Sequence, residues 1–164
     1  MKTRRLLLKQ DSNNFFLKYN TPEDFIMVTL LIGKKGTGKT KKLIALANEA
    51  VAASSGNVVV IEKGSKLTYD VTHKARLIDT EQYLVEGYDM LYGFISGICA
   101  GNYDVTDILV DSTFKICPEA LEGLEAFTKK LQELSETSST NIVLLISASE
   151  DDIPESINAV CQQV

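Results

Sequence analysis

Residues 33–40 read Gly33-Lys34-Lys35-Gly36-Thr37-Gly38-Lys39-Thr40, a complete G-x-x-x-x-G-K-[ST] string. Such a string demands an incoming strand and an outgoing helix, because its use is to fold backbone amides around phosphate. Gly33 lets the chain turn off a strand, and Gly36 and Gly38 bring N–H groups close to the anion with no Cβ in the way. Lys39 then reaches for the β- and γ-phosphates as both a binding and a catalytic group. The Thr40 hydroxyl is the candidate Mg²⁺ ligand, and Lys34, Lys35, Thr37 and Lys41 complete the phosphate site. The positive end of the following helix faces the same anion.

A chain of 164 residues matches this pattern by chance about once in 200 sequences, so context has to decide. Met27-Val28-Thr29-Leu30-Leu31-Ile32 is an unbroken apolar run, as in a buried parallel strand. Leu43, Ile44, Ala47, Ala50 and Val51 repeat at helical spacing and stop at Ser54-Ser55-Gly56. Both sides of the motif therefore agree with it.

The rest of the chain alternates in the same way. Strands are expected at 57–61, 75–78, 107–111 and 141–146. Asp79 or Thr80 is expected to cap a helix that carries Tyr83, Leu84, Met90, Leu91, Phe94 and Ile95 and ends near Gly101. Pro118 is expected in the first turn of another helix, with Leu121, Leu124, Phe127, Leu131 and Leu134 on its apolar side. Alternating strands and helices predict an α/β domain in three layers, a parallel sheet of about five strands with helices on both faces.

Asp111, at the carboxyl end of an apolar strand, is the acidic partner expected beside Thr40, holding Mg²⁺ directly or through water. Ser147 ends the 141–146 strand. It senses the γ-phosphate if that strand lies between the other two, and otherwise marks an ordinary strand-end turn. Ser112, not glutamate, follows Asp111, so the candidate water-positioning base is Glu62 at the end of the neighbouring strand. Its alternative is a solvated strand-end carboxylate. Arginine is confined to Arg4, Arg5 and Arg76. A chain without converging arginines lacks the roughly 10³–10⁵-fold that an arginine finger supplies to phosphoryl transfer. Neither an N-K-x-D guanine-reading motif nor a D-x-x-G after Asp111 is present, which disfavours an ordinary GTPase and leaves ATP as the expected nucleotide.

The formal charge is −5, and beyond residue 26 there are 12 Lys/Arg against 19 Asp/Glu. This balance gives no strong nucleic-acid signal. Cys99, Cys117 and Cys161 lack metal-ligand spacing, and with a single histidine they read as reduced thiols of a cytoplasmic protein. No apolar run approaches the ~20 residues of a membrane span. Residues 1–26 are polar and weakly patterned. They read as an extension, disordered or absent from the native product, or as a small basic arm. The P-loop domain itself is expected over 27–164.

The 27–61 stretch, with its Gly33–Thr40 loop, and the Ile108-to-Asp111 strand resemble a group of small uncharacterised bacterial P-loop ATP-binding proteins, often labelled twitching-motility protein PilT. The resemblance extends over nearly all of 27–164, with the loop as its only specific motif. It implies a RecA-like strand order and Mg-ATP. The acidic and histidine boxes of pilus-retraction ATPases have no counterpart here. Four functions are open: a weak ATPase acting as a nucleotide-dependent switch, a subunit of an oligomeric motor activated in trans through Arg76, a small-molecule kinase using 63–80 for its acceptor, and a non-catalytic nucleotide-binding module. Activation by a protein partner or by self-association is expected for the first two.

Overall fold

The computed structural model describes residues 28–163; the extension expected over 1–26 lies outside the described residues. The first strand, β1 (Val28–Ile32), is buried along its whole length. It is followed by α1 (Lys39–Ala53), β2 (Asn57–Glu62), β3 (Arg76–Asp79), α2 (Tyr88–Gly101) and β4 (Val105–Val110). Next come the short α3 (Thr113–Ile116), then α4 (Leu124–Ser138), β5 (Asn141–Ile146) and β6 (Cys161–Gln163). Every pairing is parallel, in the order β3-β2-β4-β5-β1-β6.

The sheet thus has six strands where about five were expected. The addition is β6, whose Cys161-Gln162-Gln163 carries no apolar run and is recruited by the edge of β1 through Leu30↔Cys161. The five anticipated strands all form. Because β1, β2, β4 and β5 are covered on both faces, alternate residues enter opposite cores. Leu31, Val58, Val60, Leu109, Val143 and Leu145 pack with Leu43, Leu46, Ala47 and Ala50 of α1 and with Leu67, Val71 and Ala75 of the 63–75 connection. Leu30, Ile32, Ile61, Ile108, Val110, Ile142 and Leu144 pack instead against α2, α4 and the C-terminal 3₁₀ turns. Burying such an aliphatic side chain contributes about 1.5–3 kcal/mol, so the two cores hold the sheet from both sides.

Two helix starts differ from expectation. Asp79 does act as a cap, accepting from the Glu81 amide, but it caps only a 3₁₀ turn at Thr80–Tyr83. Leu84 (φ 54°) and Gly87 (φ +83°) then reverse the chain, and α2 begins at Tyr88. Pro118 does not open a helix either. It follows Cys117, the cap that ends α3, and 118–123 is a series of turns closed by Ala120 (φ 52°) and Gly123 (φ +87°). The Tyr88 hydroxyl donates to the Ala120 carbonyl and pins this turn. Leu121 therefore stays outside the helix, and the buried stripe of α4 starts at Leu124.

Candidate phosphate site

All strands being parallel, their carboxyl ends share one edge of the sheet, where functional groups of open α/β sheets gather. The loop after β1 sits on that edge, and its Gly33 amide donates to the Ile146 carbonyl of β5 at 3.2 Å. Within the loop, Gly36 (φ +89°) and Gly38 (φ +91°) are left-handed, and a Cβ at either meets nothing within 4 Å. Glycine is needed at both for backbone conformation rather than for room inside the protein. Gly33 differs, because a Cβ there falls 2.5 Å from the Thr37 hydroxyl. That hydroxyl donates to the Lys34 carbonyl at 3.0 Å and tightens the turn.

Lys39 is buried, 8% exposed, on the first turn of α1. Its ammonium donates to the Gly33 carbonyl at 2.6 Å and the Lys34 carbonyl at 2.8 Å, so it spans the loop from inside. Burial lowers its pKa, and the nearby Asp111 carboxylate works against that shift. Lys34, Lys35 and Lys41 are exposed around it.

Thr40 and Asp111 meet: the hydroxyl donates to Asp111 Oδ1 at 3.2 Å. The other oxygen, Oδ2, accepts from Ser112 Oγ at 2.8 Å. Ser112 has φ 51° and caps α3, and no motif signalled its part in orienting the carboxylate. Magnesium is commonly held by one or two carboxylates with phosphate oxygens and water. Thr40 and Asp111 offer an oxygen pair suited to that chemistry. Among the described residues, no group of three or more His, Cys, Asp or Glu could hold a metal by itself.

Ser147 directly follows β5, which does lie between β1 and β4, and its side chain is exposed at the edge beside the loop. Glu62 is not the solvated carboxylate of the alternative reading. It is 1% exposed, and its oxygens accept from the amides of Lys66 at 3.0 Å and Leu67 at 3.2 Å. Burial raises its pKa most, the two amide bonds oppose that, and Asp111 and Asp79 add to the rise. The neighbouring Asp79, opposite Glu62 in the β2–β3 register, accepts from the Gly64 amide at 2.8 Å. Two strand-end carboxylates therefore anchor the start of the 63–75 connection. Only a short run of small and polar residues after β2 hinted at this turn.

Arg76 is exposed at the start of β3, at the edge of the sheet remote from β1. No family model matches the chain, and no curated protein is significantly similar to it. Among the described residues, no helix is long and apolar enough to cross a membrane.

Proposed function

We propose that this chain is a RecA-like P-loop protein that binds Mg-ATP, hydrolyses it slowly and acts as a nucleotide-dependent switch. The observation that carries the reading is the Thr40–Asp111 contact at 3.2 Å. It joins the last residue of the loop motif to the carboxylate that follows β4, the pair a magnesium site would need. The strand order supports the reading as well, since β5 separates the loop strand from the Asp111 strand, as in RecA-like domains.

In this reading the loop amides and Lys39 take the phosphates, and the ammonium exchanges its two carbonyl partners for phosphate oxygens. Mg²⁺, when bound by Thr40 and Asp111, neutralises phosphate charge. Ser147, at the exposed end of β5, is the candidate reporter of the γ-phosphate. A second reading, a non-catalytic nucleotide-binding module, is favoured by one specific feature. Both oxygens of Glu62 are engaged by backbone amides, which leaves it poorly disposed to accept a proton from water.

Single-turnover hydrolysis of Mg-ATP by the full chain, with Lys39→Ala as the reference, tests the proposal. Phosphate release that disappears in the variant supports a switch ATPase. Binding without release selects the second reading. Absence of both binding and release overturns the assignment.

A further inference from the structure

Asp111 is joined to the 63–75 connection by a continuous run of hydrogen bonds. Its Oδ2 accepts from the Ser112 hydroxyl at 2.8 Å, and the Ser112 carbonyl accepts from the Lys115 amide at 2.8 Å. The Lys115 carbonyl in turn accepts from the Lys63 ammonium at 3.0 Å. The short α3 and its cap thus link the end of β4 to the residue that leaves β2. From Lys63 the chain enters a turn clamped by two carboxylates. Asp79 accepts from the Gly64 amide there, and Glu62 accepts from the amides of Lys66 and Leu67.

The link is strained where it begins. Ser112 is left-handed at φ 51°, a region that non-glycine residues populate sparsely. Beside it the Thr113 hydroxyl is buried and finds no hydrogen-bond partner among the described residues, so its desolvation is not offset. Strain and an unsatisfied group side by side mark a segment held by its surroundings rather than by its own preference. At the far end of α3 the Ile116 carbonyl accepts from the Gly87 amide at 2.9 Å, a fixed point about which the Ser112 end can turn.

We propose that Ser112 and Lys63 are positioning residues of the phosphate site, and that α3 carries the state of Asp111 to the 63–75 connection. The inference rests on the magnesium site proposed above. When Asp111 Oδ1 leaves Thr40 for a cation, Ser112 follows Oδ2, to which it stays bonded. The Lys115 amide moves with the Ser112 carbonyl, α3 turns about Ile116, and the Lys115 carbonyl withdraws from Lys63. The turn at 63–67 then keeps only its two carboxylate clamps, and the segment that carries Tyr69, 98% exposed, loosens. Coupling is reciprocal. A Lys63 contact made only in the metal-free arrangement holds Asp111 back from the cation, so its removal tightens Mg-nucleotide binding.

The test combines amide exchange over 63–70, read by mass spectrometry, with titration of a fluorescent ATP analogue in Mg²⁺ and in EDTA, all on the full chain. In the wild type, the analogue with Mg²⁺ should speed exchange over 63–70 at least about threefold relative to the analogue in EDTA. Lys63→Met should exchange fast there without nucleotide and bind the Mg-analogue about fivefold more tightly, at the low end of measured couplings. Loss of a cation by itself weakens anion binding, so a gain in affinity is specific to the coupling. Lys63→Arg keeps the donor and should behave as the wild type. In a Ser112→Ala background the exchange response should vanish, and Lys63→Met should add nothing to affinity. Unchanged exchange in β4 and β5 demonstrates that the variants are folded. Binding with no change over 63–70, or a Lys63→Met chain that binds no more tightly, overturns the coupling and leaves the nucleotide site standing. A wild type that binds no Mg-analogue overturns the earlier reading and the coupling with it.

Discussion

The Thr40 hydroxyl donates to the Asp111 carboxylate at 3.2 Å across 71 positions of sequence, joining the first turn of α1 to the end of β4. Neither group belongs to an ion pair among the described residues. In the proposed site this contact would open toward a cation, with Ser112 still holding Oδ2. Asp111→Asn keeps the shape and removes the charge. It is expected to lower magnesium-dependent nucleotide affinity about 10–100-fold, the range found when a metal site loses a supporting group. Fluorescent-nucleotide titrations with Mg²⁺ and with EDTA read this directly. An Asp111→Asn protein with wild-type magnesium dependence would remove Asp111 from the proposed metal site.

Gly33 and Thr37 offer a test of loop geometry. A Cβ at Gly33 would lie 2.5 Å from Thr37 Oγ1, so Gly33→Ala should force that hydroxyl off the Lys34 carbonyl. The expected loss is about 1–3 kcal/mol, typical of overpacking. Thr37→Ala removes the obstructing oxygen, and the double variant should recover most of the loss, a coupling within the roughly 0.5–3 kcal/mol of contacting residues. Denaturant melts of the four proteins give the cycle. Additive losses would mean that the loop relaxes in some other way.

The three cysteines should be slow to react in the native chain. Cys117 is fully buried and its thiol is pushed up to about 12, by burial first and then by Glu119. Cys161 is half-buried and pushed up to about 11, by burial and then Glu150. At pH 8 their thiolate fractions are on the order of 10⁻⁴ and 10⁻³, and the thiolate is the reactive form. Cys99 is buried as well. A thiol-reactive dye should label Cys161 first and slowly, with all three reached only after denaturation. Rapid native labelling of Cys117 would contradict its burial.

What could be read in advance follows from where the determinants are local. The strand before Gly33, the loop and the start of α1 are written in adjacent residues, and Asp111 ends an apolar run that covers both sheet faces. The start of α2 was harder to read, because Tyr83 and Leu84 continue the helical period although Leu84 is 81% exposed and left-handed. Gly87 breaks the helix there. The start of α4 is obscured for a similar reason, since Leu121 is in phase with Leu124 while the turn is fixed from a distance by Tyr88. Ser112 and the amides that hold Glu62 are tertiary facts with no signature in composition or period.

Glu62 provides the last test, and its sign can be worked out. The carboxylate is buried, and its pKa is raised from the ordinary 4.5 because desolvation outweighs the two amide bonds. A carboxyl with a raised folded pKa binds its proton more readily in the folded chain than in the unfolded one. Its contribution to stability therefore falls as pH rises from about 4.5 through the raised value, and the cost persists at neutral pH. Glu62→Gln cannot ionise, so the part of the pH slope due to this residue should vanish in its denaturant melts. Glutamine keeps one acceptor oxygen but turns a donor toward the Lys66 and Leu67 amides, so the turn should loosen. Trypsin should then cut after Lys63 and Lys66 faster than in the wild type. If Glu62→Gln instead leaves the pH slope and the proteolysis unchanged while abolishing phosphate release, Glu62 is the catalytic base and its amide contacts must open during turnover.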